Sequence, residues 1–345
     1  MKQRFPLSYL LLPVLLLALL LPAGCGRDAG IQTVRVGVAL YQQEDTFIST
    51  VAQNLELLAR EEELARTIKM NLTLADGRGS QSTQNDQVDR FLAQGCDIIC
   101  VNIVDRTAAA VIIDKAQAAD VPVIFFNREP VMEDLARWEH AYYVGSKAEQ
   151  AGRLQGGIVK NAWQADAAAL DQNGDGVLQY VMLEGEPGHQ DALLRTEYSI
   201  QTLTQDGIPV EKLANDTANW QRGQASLRMS QWLEEFHGQI DVVFANNDDM
   251  ALGAIDACLS AGMDTASLPF IVGVDATPPA LAAVAEGTLK GTVQNDAAGQ
   301  AEKILDLIGA FIDGTPVEDA VELEDGKYAW LPYTTVTADN LDAFL

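Results

Sequence analysis

The sequence predicts an α/β fold made of two Rossmann-like lobes, each built around a parallel sheet. Apolar strand patterns alternate with helical patterns from Thr33 onward, and this alternation is typical of strand-helix-strand units. The alternation passes through one full series and then through a second series of the same plan. In addition, 345 residues are more than one hydrophobic core usually organises, so two domains are expected.

The first series begins at Thr33 and ends at the aromatic segment AYYVG. In order, it predicts strands over 33–40, 70–76, 96–104, 122–127 and 141–145, with helices over 47–63, 82–94 and 107–119 between them. No glycine-rich phosphate fingerprint follows its first strand, where Tyr41 to Phe47 form an acidic loop instead. A nucleotide cofactor is therefore not expected.

The second series begins with a predicted helix over 147–163 and repeats the alternation. It predicts strands over 177–184, 210–214, 241–247 and 270–276, with helices over 191–205, 221–236, 250–261 and 278–286. A helix over 297–313 and final strands within 328–336 come after both series. The chain is therefore expected to cross between the lobes more than once.

Residues 1–25 predict a secretory signal. A basic start and an apolar run over 7–21 are followed by two small residues and Cys25. This order is similar to a bacterial lipoprotein signal, in which Cys25 would be lipidated and would anchor the mature protein to a membrane. A plain cleaved signal is the alternative. Residues 26–32 are then a short polar tether.

Charge and cysteine content exclude some classes of partner and structure. Acidic residues outnumber basic residues by 49 to 23, and the resulting formal charge of −26 repels phosphate backbones. Nucleic acid is therefore not an expected partner. Beyond the signal, Cys96, Cys100 and Cys258 form an odd set with no disulfide spacing, so we expect small buried hydrophobic side chains.

Side-chain oxygens recur at every second position in the segment DQNGDGVLQ, from Asp171 to Gln179. This spacing and the glycine at the sixth position are typical of a calcium loop, because a hard cation needs several oxygens at about 2.3–2.6 Å. Met182 stands where an EF-hand has its glutamate, and an apolar strand pattern follows. The loop must therefore take a further carboxylate from elsewhere in the chain.

Polar and aromatic side chains follow most of the predicted strands, and ligands of open parallel sheets bind at these strand ends. Planar polar groups together with aromatic rings suit a neutral polyhydroxylated ligand, whose hydroxyls form hydrogen bonds while its C–H faces stack. The candidates are Asp45, Phe47, Asn102, Asn127, His189, Asp191, Arg195, Trp220, Asn246, Asn247, Asp248, Asp275, Asn295 and Asp296.

From residue 33 to about residue 344, the chain resembles the bacterial galactose/glucose-binding proteins of the periplasmic sugar-binding type. The matching segments are QNDQVDRFLAQG (84–95), VPVIFFNREP (121–130), AYYVG (141–145), GEPGHQDA (185–192), ANNDDMALGAI (245–255) and GVDATPPAL (273–281). The resemblance implies the type I periplasmic-binding-protein fold, with three crossover strands near 143–147, 294–296 and 332–334. The N-terminal lobe would comprise 33–143 plus 296–331, and the C-terminal lobe 144–295 plus 332–345.

The resemblance also implies roles for individual residues. Phe47 and Trp220 match the aromatic pair that sandwiches a pyranose ring in that family. Hydroxyl-binding positions of the family match Asp45, Asn102, His189, Asp191, Arg195, Asn247, Asp275 and Asn295. The family's calcium ligands match Asp171, Asn173, Asp175, Val177 and Gln179, and its distant bidentate glutamate aligns with Asp241.

The function implied by this resemblance is an extracytoplasmic receptor for D-galactose and/or D-glucose with a structural calcium ion. Such a protein, a monomer, delivers the hexose to a membrane ABC permease and in addition to a chemoreceptor. Another monosaccharide is the alternative ligand.

A sugar-processing enzyme is the competing class, since His189, Asp191 and Arg195 could serve a glycosidase. The sequence has no serine or cysteine elbow, zinc pattern or phosphate loop that would support catalysis. A transcriptional regulator of the same fold would need a DNA-binding helix pair and a basic surface. We therefore expect a binding protein.

Overall fold

The computed structural model describes residues 31–345. The predicted signal, its lipidation site Cys25 and most of the predicted 26–32 tether lie outside the described residues. None of the helices within 31–345 has the length and apolar character needed to cross a membrane.

Strands and helices alternate along the described chain, as the sequence predicts. The strands are β1 (Thr33–Leu40), β2 (Lys69–Asp76), β3 (Ile98–Val101), β4 (Val123–Phe126), β5 (Ala141–Gly145), β6 (Leu178–Glu184), β7 (Val210–Thr217), β8 (Val242–Ala245), β9 (Phe270–Val272), β10 (Thr292–Gln294), β11 (Tyr328–Trp330) and β12 (Thr334–Val336). The helices are α1 (Thr46–Arg66), α2 (Gln81–Ala93), α3 (Ala109–Ala119), α4 (Met132–Leu135), α5 (Ala148–Ala165), α6 (Ala167–Leu170), α7 (Gln190–Gln205), α8 (Arg222–Phe236), α9 (Asp248–Ser260), α10 (Pro278–Ala285), α11 (Ala297–Asp313) and α12 (Val317–Ala320).

The first lobe contains a six-stranded parallel sheet in the order β11-β5-β4-β3-β1-β2. Apolar side chains of α1 and α11 pack on one face of this sheet, and those of α2 and α3 pack on the other. Because both faces are covered, its central strands are apolar throughout rather than alternating, as in β3 and β4.

The second lobe contains a parallel sheet in the order β7-β6-β8-β9. Strands β10 and β12 form an antiparallel pair, and bridges at Val272–Gly291 and Asp275–Gln294 connect this pair to the chain at β9. Helices α8, α9 and α10 cover one face, while α5 and α7 contribute to the core on the other. The two lobes thus repeat one layered plan.

The chain passes between the two sheets three times, after β5, after β10 and between β11 and β12. The predicted two-lobed α/β fold is confirmed. Its small differences from the prediction are the four-residue helices α4, α6 and α12, which are too short to show a helical period in the sequence. The three cysteines beyond the signal are buried and unbridged, as predicted.

Candidate functional site

A cavity lies between the lobes at the carboxyl ends of strands from both sheets. The space open to the centre of a water-sized sphere is ≈ 30 Å³, so the cavity is small. Its lining consists of Tyr41, Asp45, Phe47, Ile48, Asn127, Arg128, His189, Asp191, Arg195, Trp220, Asn247 and Asp275. Apart from Asn102 and Asn295, every predicted sugar-contact residue is in this set.

On the first lobe, the start of α1 places Asp45 and Phe47 at the cavity. Asp45 caps the helix because its Oδ1 accepts a hydrogen bond from the Ile48 amide at 2.9 Å. Its Oδ2 accepts from the Tyr41 hydroxyl at 2.6 Å. Tyr41, which directly follows β1, is therefore a wall residue that the sequence analysis missed.

Asn102 lies behind this wall and is not among the residues that line the cavity. Its predicted contact with a sugar stays a prediction. It is fully buried, and its Oδ1 accepts from the Tyr41 amide at 3.3 Å. Its Nδ2 donates to the Phe126 carbonyl and to Asn127 Oδ1, both at 3.2 Å. Through these bonds Asn102 holds Tyr41 and Asn127 in place.

Asn127 and Arg128 follow β4 and complete the wall of the first lobe. Asn127 has the left-handed φ of 60°, and its carbonyl accepts from the Tyr143 hydroxyl at 2.8 Å. Our sequence analysis noted Asn127 only as a strand-end residue and assigned no role to Arg128. The available signal was their place in VPVIFFNREP, directly after a buried strand.

On the second lobe, the start of α7 carries three predicted residues. His189 caps the helix, since its Nδ1 accepts from the Asp191 amide at 3.1 Å. This bond requires an unprotonated Nδ1. Burial, together with Arg128 and Arg195, lowers the pKa of His189 well below its usual value. His189 therefore remains neutral and keeps Nε2 as its other hydrogen-bonding atom.

Arg195 connects this helix to the rest of the site. Its Nη2 donates to Asp191 Oδ2 at 3.2 Å and to the Tyr333 hydroxyl at 3.1 Å, and its Nη1 donates to the Asn246 carbonyl at 2.8 Å. Burial alone would lower the pKa of Arg195, but Tyr333, Asp191 and Asp275 outweigh it and raise the pKa. Tyr333 precedes β12 at the third crossover, so the chain connection between the lobes helps to hold this guanidinium.

Trp220 forms an aromatic face of the cavity on the second lobe. Asn219 and Trp220 both have left-handed φ values, 52° and 64°, which turn the indole toward the site. A Cβ atom on Gly185 would come within 2.1 Å of the indole, so only glycine allows this packing. The His189 ring meets Trp220 edge to face, with centroids 5.1 Å apart.

Asn247 and Asp275 line the floor of the cavity. Asn247 caps α9 through Oδ1, which accepts from the Met250 amide at 3.0 Å, and its Nδ2 donates to the Trp220 carbonyl at 3.2 Å. Asp275 has a φ of 120° and is buried 4.0 Å from Arg195. Burial raises the pKa of Asp275 well above its usual value, although Arg195 opposes this shift.

Asn295 is the second predicted residue that does not line the cavity. Its Nδ2 donates to Asp275 Oδ1 at 3.3 Å, and its Oδ1 accepts from Gln300 Nε2 at 2.9 Å. The side chain is 4% exposed and lies between these two partners. Asn295 therefore supports Asp275 from behind, as Asn102 supports the opposite wall.

The cavity combines carboxylate acceptors with unused donors and aromatic faces. Arg195 Nε and Trp220 Nε1 are buried and have no hydrogen-bond partner among residues 31–345. Such donors cost free energy unless a ligand oxygen accepts from them. The lining holds no serine, cysteine or lysine. These features suit tight binding of a small hydroxylated molecule.

A family model described as periplasmic binding protein domain matches residues 36–316. The chain belongs to this family. It is an extracytoplasmic binding protein rather than an enzyme. The expected protein class is thereby confirmed, while the preferred sugar is a separate question.

Three known proteins to which this periplasmic binding protein is similar are named for, or contain, different ligands. The D-galactose/methyl-galactoside binding periplasmic protein MglB of Haemophilus influenzae is 39% identical over 314 residues, which are 90% of this chain and 92% of that protein. A putative rhizopine-binding protein of Rhizobium meliloti is 34% identical over 311 residues, 90% of this chain and 92% of the relative. The solved structure of an ABC transporter solute binding protein from Bacillus halodurans with bound myo-inositol is 29% identical, with a TM-score of 0.73, and covers 92% of this chain and 98% of its own.

The predicted calcium loop of this periplasmic binding protein lies at the other end of β6, away from the cavity. Its backbone is held by Asp171, whose two carboxylate oxygens accept from the Gly174 and Gly176 amides at 2.7 and 2.8 Å. Asn173 Oδ1 accepts from the Asp175 amide at 2.9 Å. These local bonds fix the side-chain oxygens on the inside of a tight loop.

The remaining predicted ligands converge on the same loop. Asp175 Oδ2 accepts from Asn173 Nδ2 at 3.1 Å and from Gln179 Nε2 at 2.9 Å. The Asn173 oxygen is fixed by its bond from the Asp175 amide, whereas exchange of the oxygen and nitrogen atoms of the Gln179 amide would direct the Gln179 oxygen toward Asp175. The same side chains can therefore form a polar network or present oxygens to a cation.

Asp241 joins the loop to the sheet. It is 1% exposed, and its two oxygens accept from the Gln172 and Gln179 amides at 2.9 and 2.8 Å. Burial raises the pKa of Asp241, and the nearby charges of Asp171 and Asp175 add to this effect. A cation at this point would relieve that repulsion.

Carboxylates alone would not hold the cation. Within residues 31–345 no three His, Cys, Asp or Glu side chains are close enough to hold a metal ion. Coordination would therefore depend on the amide oxygens of Asn173 and Gln179 and on the Val177 carbonyl, as calcium loops commonly use. The donor set fits a hard cation and excludes metals that need sulfur or imidazole.

Proposed function

We propose that the interlobe cavity binds one D-galactose and/or D-glucose molecule in its pyranose form. The observation that carries this proposal is the meeting of both aromatic residues and most of the polar residues that the galactose/glucose resemblance selects, around one cavity between the lobes. Those residues come from both lobes and from distant parts of the sequence.

The chemistry of the lining supports a pyranose. Phe47 comes from the first lobe and Trp220 from the second, so a flat ring can be covered on both faces. Sugar hydroxyl groups can donate to Asp45, Asp191 and Asp275, and sugar oxygens can accept from the unpartnered donors Arg195 Nε and Trp220 Nε1.

The relatives support this sugar class and also define the alternative. The Haemophilus influenzae relative is named for D-galactose and methyl-galactoside, whereas the Bacillus halodurans structure contains myo-inositol. Inositol is also a neutral ring with hydroxyl groups on every side. A ligand of the inositol type, or another monosaccharide, is therefore the second candidate.

Isothermal titration of the mature protein tests the ligand. D-Galactose, D-glucose, methyl-β-D-galactoside, D-ribose and myo-inositol should be compared under identical conditions. We expect saturable binding of galactose or glucose at least about a hundredfold tighter than of ribose and inositol, equivalent to about 2.7 kcal/mol. Absence of heat with both hexoses, or preference for inositol, would contradict the proposed specificity.

We further propose that the closed, sugar-loaded protein is a monomer that is recognised by a membrane ABC permease and in addition by a chemoreceptor. Sugar contacts that exist only when the lobes meet would shift an open–closed equilibrium toward the closed form. Deletion of the chain from its host should abolish uptake of the preferred hexose and swimming toward it. Uptake that persists would contradict the transport role.

Membrane anchoring through lipidated Cys25 is proposed from the signal sequence alone. The full-length protein should fractionate with membranes, and Cys25→Ala should release it or block its processing. A full-length protein that is soluble despite an intact Cys25 would favour the plain cleaved signal.

We also propose that the loop from Asp171 to Gln179, together with Asp241, binds a structural Ca²⁺ ion. Asp171, Asn173, Asp175 and Gln179 would supply side-chain oxygens, Val177 its carbonyl, and Asp241 a buried carboxylate. The ion would supply only charge and rigidity there, because the loop lies across the length of β6 from the cavity.

A further inference from the structure

Arg128, for which the sequence predicts no role, lies on the wall of the cavity and is 5% exposed. The left-handed turn at Asn127 directs it away from β4 toward the cleft. Its guanidinium carbon lies 3.5 Å from the centroid of the Tyr41 ring, and its Nη1 donates to the Val104 carbonyl at 3.0 Å. The first lobe therefore holds this side chain in one orientation.

From this position Arg128 reaches across the cleft to Glu186 on the second lobe. The guanidinium and carboxylate meet through two contacts, Nη1 to Oε2 at 3.0 Å and Nη2 to Oε1 at 3.1 Å. This paired geometry is the strong form of an arginine–carboxylate interaction. Glu186 follows β6 in the GEPGHQDA segment, two residues after the strand ends.

Among residues 31–345, two other polar contacts connect the facing walls of the cleft, and neither pairs opposite charges. The Lys147–Glu324 ion pair also joins the lobes, but it is half exposed and lies at the first crossover. The Thr46 hydroxyl donates to Asp249 at 2.7 Å, and Gln190 Nε2 donates to Glu129 at 2.9 Å. Both use a neutral donor. The Arg128–Glu186 pair joins full charges and has one member almost completely shielded from water, so its opening is the most costly of the three.

The pair also stands between two cavities. A second cavity, with ≈ 300 Å³ open to the centre of a water-sized sphere, adjoins the first and is lined by residues of both lobes, including Arg106, Glu129 and Gln190. Arg128 lines both cavities, whereas Glu186 lines only the second, outer one. The ion pair therefore forms part of the partition between the ligand cavity and the wider space at the cleft.

We propose that Arg128 and Glu186 form an interlobe lock that stabilises the closed cleft and sets the rate of ligand release. Its effect on release depends on the proposed sugar binding, but its effect on closure does not, because no ligand atom takes part in the pair. Arg128 is thus a positioning residue that determines affinity through closure, and Glu186 is its partner on the moving lobe.

Glu186→Gln tests the lock without changing any residue that lines the inner cavity. It keeps the size of the side chain and removes its charge. Glu184→Gln is the matched control, because Glu184 lies at the end of the same strand and accepts from Asn215 within its own lobe at 2.7 Å. Release of galactose or glucose can be followed by stopped-flow fluorescence, since Trp220 lines the cavity.

We expect Glu186→Gln to accelerate release about tenfold, with an association rate within about twofold of the parent. Loss of one partner of a shielded charge pair acts mainly on dissociation, and the partial exposure of Glu186 reduces the effect. Arg128→Lys should give a smaller acceleration, because lysine keeps the charge but not the paired contact or the stacking on Tyr41. Equal release rates for the parent, Glu184→Gln and Glu186→Gln would overturn the proposal.

Small-angle scattering of the sugar-free protein provides a test that is independent of any ligand. The lock predicts a larger radius of gyration for Glu186→Gln than for the parent and for Glu184→Gln, because the open form becomes more populated. Identical radii would overturn the lock. If no hexose binds to the parent but the radii differ, the proposed ligand fails while the lock is supported.

Discussion

The two sites at the ends of β6 differ in how their polar groups are hydrogen-bonded. At its amino end, the loop from Asp171 to Gln179 satisfies its polar groups locally, with side-chain oxygens accepting from amides two to five residues away. At its carboxyl end, the cavity leaves Arg195 Nε and Trp220 Nε1 buried without partners in the described part of the chain. The loop is organised to be rigid by itself, whereas the cavity is organised to be completed by a ligand.

Because the two sites differ in this way, we predict different effects of substitutions at each. Changes at the cavity should alter ligand affinity more than stability, and changes at the loop should alter stability with little effect on affinity. Each variant should therefore be measured by titration with the preferred hexose and by thermal or urea unfolding without it.

Arg195→Met should have the largest effect at the cavity. The substitution removes the positive charge that pairs with the buried side chains of Asp191 and Asp275. We expect a loss of about 2–5 kcal/mol in binding free energy, measured by titration calorimetry, because the buried Nε donor for the ligand is also lost. Arg153→Met is the control, because Arg153 is an exposed helical arginine that pairs with Glu149. Unchanged hexose affinity in Arg195→Met would remove Arg195 from the site.

Asp241→Asn should have the largest effect at the loop. An amide can accept from one of the Gln172 and Gln179 amides but presents a donor to the other, so one buried bond is lost. We expect the free energy of unfolding to fall by about 2–3 kcal/mol. Glu211→Gln, on the exposed edge strand beside Gln179, should unfold like the parent. A hexose affinity that falls together with stability would show that the two sites are coupled.

Only part of this division could be predicted from the sequence. The calcium loop is predicted from spacing, because its predicted ligands are local and the backbone imposes their period. Asp241 came from the resemblance alone, since nothing in its neighbourhood distinguishes it from a strand-start aspartate. The fold was equally accessible, because alternating apolar segments must be buried on both faces of parallel sheets.

The sequence could not predict which residues line the cavity and which lie behind its wall. Asn102 and Asn295 have the same residue type and the same strand-end position as residues that face the cavity, yet each lies one layer behind it. Arg128 and Tyr333 were missed because their roles arise from contacts across long sequence separations. Tyr41 likewise depends on long-range contacts with Arg128 and Asn102, in addition to its local bond to Asp45. Position along a strand predicts which end a side chain occupies, but tertiary packing decides whether it contacts the ligand.

Removal of calcium should have a smaller effect than Asp241→Asn and should be confined to the loop. A ligand that binds only the folded state stabilises it by about 2.7 kcal/mol at one hundred times its dissociation constant. We expect chelation to lower the melting temperature, and added Ca²⁺ to restore it, while hexose affinity remains within about twofold. In Asp175→Asn, which weakens the predicted ligand set, chelation should change the melting temperature less. A parent melting curve that does not respond to chelation would contradict the proposed ion.

Trp220→Ala should cause the smallest of these losses. Compared with Trp220→Phe, it should show how much ligand affinity comes from stacking of the ring on the sugar. The indole contributes an aromatic face to the cavity and also contacts Gly185 and His189, so its loss removes buried apolar area and one half of the proposed sandwich. We expect affinity to fall by about 1–3 kcal/mol. Trp220→Phe keeps a smaller aromatic face but lacks the unpartnered Nε1 donor, so it should recover part of the loss if the ring stacks on the sugar. Equal affinities for Trp220→Phe and Trp220→Ala would show that stacking adds nothing there, and an unchanged affinity in both would place the ligand away from this wall.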